Sequence, residues 1–454
     1  MTSQPPADPR SATPKHGAHR AAIALFLVTF LVFVATASRD YLSLDVWSSN
    51  LASYHLVATG SPYLDGVSVP ELDGNPLREV WVDDDAPNGH VVITRSPAAV
   101  IAGLPAYVLT QPASMTVVPA AVTAALLTAL SVLLMFLALV PLMRRRQALA
   151  AAAAFAFTTP VWSVAANGIW PQTISVLGIA MVAWAAAHQR WWVVGLGGLL
   201  LLWARPHAAL IVAVVGLVLA WRERRIGIAL RAGIPGVASL VLLSLWTHWV
   251  YGSWNPIALY GSGALAYVHE SVFDLPNQLG MWVAPDRGIL VFTPVLLVLL
   301  PAVLRSWRRL PAWSTALLVG GLGYTLLQDA LISFNGGDPL YGYRYGLEFL
   351  ACATPAFALA APSAGRLARS LLAPALAVQF VVILFGAAIE GMALPFSQAW
   401  THNAFVEAVR GAPALLLMSG LVVVGLTLAA RRLKWAEDDA HEPAPEPVAD
   451  AAVR

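Results

Sequence analysis

Long runs of apolar residues recur through almost the whole chain, and they constrain its fold more than any other feature. Between Arg20 and Ala430 the sequence repeatedly contains stretches of 17 or more residues with few or no charges. A helix of about that length spans the hydrocarbon core of a bilayer. Only 11% of the 454 residues are charged, whereas a soluble domain carries about 25%. The sequence therefore predicts an all-α, polytopic bundle of transmembrane helices.

The apolar runs predict about twelve crossings, and the basic residues orient them. The short apolar segment at 97–110 contains two prolines and is too short to cross, so we interpret it as an interfacial or re-entrant helix. Arg144–Arg146 and most other basic residues then lie on the side of the N-terminus. The positive-inside rule identifies that side as cytoplasmic, so both termini are predicted to be cytoplasmic. The predicted spans are about 20–37, 115–143, 147–164, 171–188, 191–204, 208–221, 232–251, 288–304, 312–331, 347–362, 370–391 and 412–430.

Composition divides the chain into one membrane domain with a tail at each end. Residues 1–19 are basic and rich in Pro and Ser, residues 431–454 are rich in Glu, Asp, Pro and Ala, and both are predicted to be disordered cytoplasmic tails. Residues 20–430 form the single transmembrane domain, in which 38–114 is a long outer loop with interfacial helices. The first span also resembles a signal peptide, but the many later spans favour a retained helix. The expected location is the cytoplasmic membrane, with the working face outside.

The outer loop supplies the candidate general base. Asp45 opens the segment DVWSSNLASYHLVA, whose apolar residues fall near helical spacing and predict a helix on the membrane surface. A carboxylate at that boundary suits deprotonation of a hydroxyl, although an Asp at a helix start is also a common N-cap. Asp40 is the alternative base, unless it pairs with Arg39.

Basic residues at helix mouths are candidates for binding a phosphate. Arg95 precedes the short helix and could bind an anion bidentately, with His90 donating to the same anion. Snorkelling toward headgroups is the alternative for Arg95. Arg205 and His207 flank a proline between two apolar runs, where they either face a cavity or form a turn. Arg287 opens a later span from the outer side.

A second polar segment precedes a late span. Arg344 lies between Tyr343 and Tyr345, an arrangement that suits a phosphate clamp beside aromatic rings for a sugar, although interfacial aromatic residues are common in membrane proteins. Glu348 follows four residues later and is expected on the same helix face, where it could pair with Arg344.

The order of these parts resembles the GT-C superfamily of integral-membrane glycosyltransferases, which use polyprenyl-phosphate sugars. The resemblance is clearest in LSLDVWSSNLASYHLVATGSPYLDG and in GHVVITRSPAAVIAGLPAYVL, and it extends over most of 20–360. FTTPVWSVAANGIWPQT, which contains Trp170, is similar to a segment of bacterial members. The chain departs from the pattern in having RSPA where a double proline is frequent, and in having no large periplasmic domain.

The resemblance implies an inverting glycosyltransferase of cell-envelope glycan or glycolipid synthesis, of the mannosyl- or arabinosyltransferase type. Its partners would be a polyprenyl-phosphate sugar, a glycolipid, polysaccharide or protein acceptor, and membrane lipids, with no nucleic acid. Asp45 or Asp40 would be catalytic, and Arg95, Arg344, Arg205, Arg287 and His90 would bind the donor phosphate. The residues assigned to the sugar or acceptor would be His207, Tyr343, Tyr345, Glu348 and Trp170.

Two other functions are compatible with the sequence: a transporter or flippase for a lipid-linked sugar, and a non-catalytic membrane scaffold. The scaffold would not require Asp45, Arg95 and Arg344 to converge. No cofactor is firmly implied, because the sequence has no P-loop or dinucleotide fingerprint. Its one cysteine, Cys352, makes a cysteine metal site improbable. A divalent cation at Asp83–Asp85 is conceivable, but a solvated loop explains the same run.

Overall fold

The structure, a computed structural model, describes residues 13–40, 43–69, 72–75, 78–261, 274–334, 341, 343–389 and 396–432. Residues 1–12 and 433–454, which make up most of the two predicted tails, lie outside the described residues. The described part of the chain is almost entirely helical, with one antiparallel pair of two-residue strands, β1 (Val82–Asp83) and β2 (Val92–Ile93).

The first nine α-helices are α1 (Thr13–Thr36), α2 (Leu44–Thr59), α3 (Pro97–Thr110), α4 (Val118–Leu139), α5 (Arg145–Phe157), α6 (Pro171–Ala187), α7 (Trp191–Ala204), α8 (Ala209–Arg222) and α9 (Ile226–Tyr251). After residues 262–273, which are not described, follow α10 (Leu275–Val283), α11 (Ile289–Phe292), α12 (Val295–Ser306), α13 (Ala312–Leu331), α14 (Leu347–Ala360), α15 (Arg366–Ala388), α16 (Ala404–Gly411) and α17 (Pro413–Arg432). Shorter 3-10 turns connect several of them.

The protein is a helical membrane protein. Among the described residues, five helices are long and apolar enough to cross a bilayer, and a sixth crossing results if the sharply bent pair α16–α17 is one span. The surfaces of these helices expose large apolar side chains, such as Leu31 on α1, Val237 on α9 and Leu421 on α17. Contiguous exposed apolar surface is rare on soluble monomers and indicates contact with lipid.

The predicted helix positions are largely confirmed, and two predicted spans are broken. Helices α7 and α13 have the predicted bounds, and most others agree within a few residues. The predicted span at 147–164 ends as α5 at Phe157 and continues as a π-turn over Val161–Ala165 after Pro160. The predicted span at 288–304 is divided at Thr293 and Pro294 into α11 and α12. Proline has no backbone N–H and clashes with the preceding turn, which explains both breaks. Helix α1 begins at Thr13, inside the predicted tail.

Helix α6 lies at the centre of the bundle and packs against α4, α7 and α14. Glycines allow the closest approach: a Cβ on Gly197 of α7 would lie 2.9 Å from the carbonyl oxygen of Gly178 on α6. Because a backbone oxygen cannot move aside, this contact requires glycine.

The segment between α1 and α4 folds against the bundle around α2 and α3. The predicted interfacial helix at 97–110 is present as α3, and it packs along α2. The segment from Asp45 is predicted to be an amphipathic helix on the membrane surface, and in α2 buried Ser48, Ser49, Asn50 and Ser53 accompany the buried apolar residues. Ser53 Oγ donates to the carbonyl of Val100, and a Cβ on Gly103 would lie 2.7 Å from Ser53 Oγ. Small polar side chains are therefore buried on α2 because α3 lies so close.

Candidate active site

The candidate site is a cluster of charged and aromatic side chains where several helices begin. Asp45 is in the first turn of α2, Arg95 directly precedes α3, and Trp170 precedes α6. Arg205 separates α7 from α8, and Arg344 opens the 3-10 turn that leads into α14. Helix N-termini carry a partial positive charge and unpaired N–H groups, so this arrangement favours an anion.

Asp45 is held between two guanidinium groups from distant parts of the chain. Arg95 Nη2 lies 2.9 Å from Asp45 Oδ1, and Arg344 Nη1 lies 2.6 Å from Asp45 Oδ2. Trp81 Nε1 also donates to Asp45 Oδ1, at 2.9 Å. Helix α2 begins at Leu44 with Ser43 as its N-cap, so the alternative that Asp45 only caps the helix is wrong.

The two arginines are more buried than the carboxylate that they bind. The side chains of Arg95 and Arg344 are 10% and 12% exposed, whereas that of Asp45 is 30% exposed. Burial opposes ionisation of Asp45, but the charges of Arg344 and Arg95 more than offset it and hold the pKa of Asp45 below its ordinary value of 3.8. Asp45 is therefore an ionised carboxylate at neutral pH, and solvent reaches it.

Arg95 is fixed in place by backbone and side-chain acceptors. Its Nη1 donates to the carbonyls of Val80 and Thr94, and its Nε donates to Ser48 Oγ. The guanidinium also lies 5.6 Å from the centre of the Trp81 ring. These contacts orient Nη2 toward Asp45 with little freedom, which reduces the entropy lost when a ligand binds.

Aromatic rings connect the Asp45 pair to a second polar group. The guanidinium carbon of Arg344 lies 5.0 Å from the ring centres of both Trp170 and Tyr345, and that of Arg205 lies 5.1 Å from the Tyr345 ring. Tyr345 is thus flanked by two cations, both within the range of cation–π attraction. This stacking brings Arg205 into the same cluster as Arg344.

The second polar group is organised by Gln328 on α13. Gln328 Oε1 accepts from Arg205 Nη1 at 2.9 Å and from the Tyr324 hydroxyl at 3.3 Å, and His207 Nε2 lies 2.5 Å away. Glu348 Oε1 lies 3.8 Å from Arg205 Nε, so the ion pair of Glu348 is with Arg205, whereas Arg344 pairs with Asp45. The fully buried Glu348 side chain belongs to the same network.

Four predicted site residues lie elsewhere. His90 lies 2.6 Å from Asp65 and stacks on Tyr63 in the exposed part of the loop. Arg287 is buried and pairs with its neighbour Asp286. Asp40 is exposed just after α1, and the hydroxyl of Tyr343 hydrogen-bonds with Thr293. These contacts do not connect the four residues to the Asp45 cluster, so their predicted roles stay predictions.

Sequence reasoning missed Trp81, Tyr324 and Gln328. Trp81 precedes β1 in a loop, and Gln328 lies near the end of an apolar helix, so neither stands in a recognisable motif. A polar amide inside an apolar span is itself a signal for a buried network.

Among the described residues, no group of three His, Cys, Asp or Glu side chains is arranged to hold a metal ion. In the predicted acidic run, Asp84 pairs with Arg78, and Asp83 accepts from the backbone N–H of Asp85.

Comparison with known protein families finds no matching family model, and comparison with curated proteins finds no significant match.

Proposed function

We propose that the protein is an inverting glycosyltransferase that moves a sugar from a polyprenyl-phosphate donor to an acceptor hydroxyl. The observation that carries the proposal is the meeting of Asp45 with Arg95 and Arg344, which are 50 and 299 residues away in the sequence. A carboxylate beside two fixed guanidinium groups provides both a base and an anion site. The scaffold alternative does not call for this convergence.

The charge balance of the cluster favours a bound anion. Among the described residues of the cluster, Arg95, Arg205 and Arg344 provide three cationic groups, and Asp45 and Glu348 provide two carboxylates. Guanidinium groups bind phosphate oxygens in a bidentate manner. The single negative charge of a sugar phosphodiester suits such a group of buried arginines.

Unpartnered polar groups on the helices that carry the cluster residues suit a sugar. Among the described residues, the indole N–H of Trp170 and the side-chain amides of Asn50 and Gln172 are buried without a hydrogen-bond partner. Leaving such a group unpaired costs about 1–3 kcal/mol. Trp170 faces Arg344, and its N–H is the best placed of the three to meet a sugar hydroxyl beside a bound phosphate.

In the proposed mechanism, the donor phosphate and Asp45 compete for the same two arginines. When the phosphate takes Arg95 and Arg344, Asp45 loses the charges that hold its pKa down and becomes a stronger base. The acceptor hydroxyl then transfers its proton to Asp45, and its oxygen attacks the anomeric carbon. The bond from that carbon to the phosphate oxygen breaks with inversion, and the arginines stabilise the leaving polyprenyl phosphate.

The number of membrane crossings and their orientation are part of the same proposal. A GT-C-like arrangement with about twelve crossings would count several shorter apolar helices, such as α7 and α12, as spans. The arginine-rich helix ends would then face the cytoplasm, and Asp45 would face the outer side of the cytoplasmic membrane. Donor and acceptor would both reach the cluster from that side, in cell-envelope glycan or glycolipid synthesis.

A transfer assay tests this function. We would incubate the purified protein with radiolabelled polyprenyl-phosphate sugars and a native lipid extract, together with Asp45→Asn and the matched control Asp65→Asn. Asp65 is an exposed acid of the same loop that pairs with His90. Transfer by the wild type and the control, and its loss in a folded Asp45→Asn, would support the proposal. No transfer from any donor would contradict it.

Transport of a lipid-linked sugar is the second candidate, because Asp329 and Glu348 are fully buried in helices. Buried acids inside a membrane domain often mark transport pathways. Reconstitution into vesicles distinguishes the two functions: a transporter would move the labelled donor between leaflets without forming a glycosylated product.

A further inference from the structure

A cavity between α5, α12, α14 and α15 is lined by none of the Asp45-cluster residues. It has a volume of about 380 Å³ and is lined mostly by Ala, Leu, Val and Phe side chains. An apolar cavity of about 150 Å³ already accommodates benzene, and binding sites for small ligands begin near 300 Å³. This cavity therefore has room for a length of hydrocarbon chain.

At one end of the cavity, the polar side chains of Gln379 and Thr293 are already hydrogen-bonded and do not require a polar ligand. Its polar side chains are bonded within the protein: Gln379 Nε2 donates to the carbonyl of Thr158, and Gln379 Oε1 accepts from the backbone N–H of Val295. The hydroxyl of Thr293 hydrogen-bonds with that of Tyr343. With these groups satisfied, the interior is suited to an apolar occupant.

The other end is rich in arginine. Arg369 lines the cavity there and is exposed. A Cβ on Gly365, at the start of α15, would lie 3.8 Å from Arg305 Nη2, so a second guanidinium borders the same end. Exposed Arg308 and Arg309 follow at the adjoining helix end. The segments that form this end, 140–160, 295–312 and 355–389, contain no Asp or Glu.

We propose that this cavity binds one acyl chain of an anionic glycerophospholipid, whose phosphate pairs with Arg369. A lipid chain gains little from the hydrophobic effect when it moves from the bilayer to an apolar cavity. Selection must therefore come from the headgroup, and basic pockets between membrane helices recruit anionic headgroups. The segments 140–160, 295–312 and 355–389 supply no carboxylate, so a lipid phosphate can serve as the counterion of Arg369. The site is independent of the proposed glycosyl transfer.

The test measures lipid bound to delipidated, detergent-purified protein. We would add phosphatidylglycerol or phosphatidylcholine with the same acyl chains and count bound lipids by native mass spectrometry. We expect one phosphatidylglycerol per protein and at least tenfold weaker binding of phosphatidylcholine. Arg369→Gln should remove this preference, whereas Arg366→Gln, on the same helix but not lining the cavity, should retain it.

A second pair of variants tests the cavity itself. Ala154 of α5 lines the cavity, and its neighbour Ala153 does not, although both are half-buried. Ala154→Leu should reduce phosphatidylglycerol binding at least fivefold, and Ala153→Leu should not. Equal binding of the two lipids, equal effects within either pair of variants, or displacement of phosphatidylglycerol by an equal concentration of polyprenyl phosphate would overturn the proposal.

Discussion

Replacing Asp45 by Asn should make the protein bind a polyprenyl-phosphate sugar more tightly while it loses transfer activity. Most substitutions in a binding site weaken binding. Here the carboxylate occupies the two guanidinium groups that the phosphate requires, at 2.9 Å from Arg95 and 2.6 Å from Arg344. The neutral amide of Asn neither repels the phosphate nor competes for both arginines.

The expected gain in affinity follows from the distance between the bound phosphate and the Asp45 carboxylate. A phosphate on the same arginines would be about 5 Å from the Asp45 carboxylate, and two unit charges at that distance repel by about 3 kcal/mol at an effective dielectric constant of 20. The Asp45 side chain is 30% exposed, so solvent and salt reduce the repulsion. With the repulsion halved by this screening, its removal stabilises the bound phosphate by roughly 1.5 kcal/mol, which corresponds to about tenfold tighter binding.

The assay is equilibrium binding of a radiolabelled short-chain polyprenyl-phosphate sugar, whose phosphodiester carries one negative charge, to purified protein at neutral pH and physiological ionic strength. The matched control, Asp65→Asn, removes the same charge from an exposed position beside His90 and should leave the affinity unchanged. Unchanged or weaker binding by Asp45→Asn would refute the competition between Asp45 and phosphate. An equal gain in the control would show that only the overall charge matters.

Three further predictions concern pH, one hydrogen bond and helix packing. Because the pKa of Asp45 is lower in the folded protein than its ordinary 3.8, its ion pairs stabilise the fold above that pH and lose this effect as pH falls through the folded pKa. The thermal unfolding temperatures of wild type and Asp45→Asn should therefore converge as the pH falls below about 4; a constant difference would contradict this. Trp81→Phe removes the indole donor to Asp45 and should slow transfer about fivefold to tenfold, as expected for a loss of about 1 kcal/mol; an unchanged rate would exclude a role for the indole. Gly197→Ala should cost about 1–3 kcal/mol in unfolding free energy, since its Cβ would meet a backbone oxygen, whereas Gly233→Ala, with open space around it on α9, should be neutral or stabilising. Equal stabilities of the two alanine variants would refute the packing argument.

The helices could be predicted well because apolar runs, and the polar residues that end them, are local features of the sequence. The bounds of α7 and α13 follow from where apolar stretches begin and end. Pro160 and Pro294 lie at the two breaks, but five other prolines of the described residues lie inside continuous helices, so proline alone does not predict a break. The polar buried face of α2 was not predictable from its own sequence, because it depends on Gly103 of a different helix.

The candidate site could be predicted only in part, because its contacts are long-range. Asp45, Arg95 and Arg344 were identifiable as charges at the ends of apolar spans, where ionisable groups are unusual. Trp81 and Gln328 reach the cluster across 36 and 123 residues of sequence, respectively, and no local pattern encodes those contacts. His90 stood close to Arg95 in the sequence, yet its ring contacts are with Asp65 and Tyr63.

The most direct test of the central claim is an electron cryomicroscopy map of the protein with a short-chain polyprenyl-phosphate sugar bound. The account predicts phosphate density within hydrogen-bonding distance of Arg95 and Arg344, with the Asp45 carboxylate released from both and turned toward the anomeric position of the donor. Phosphate density elsewhere, with Asp45 still bridging the two arginines, would contradict it.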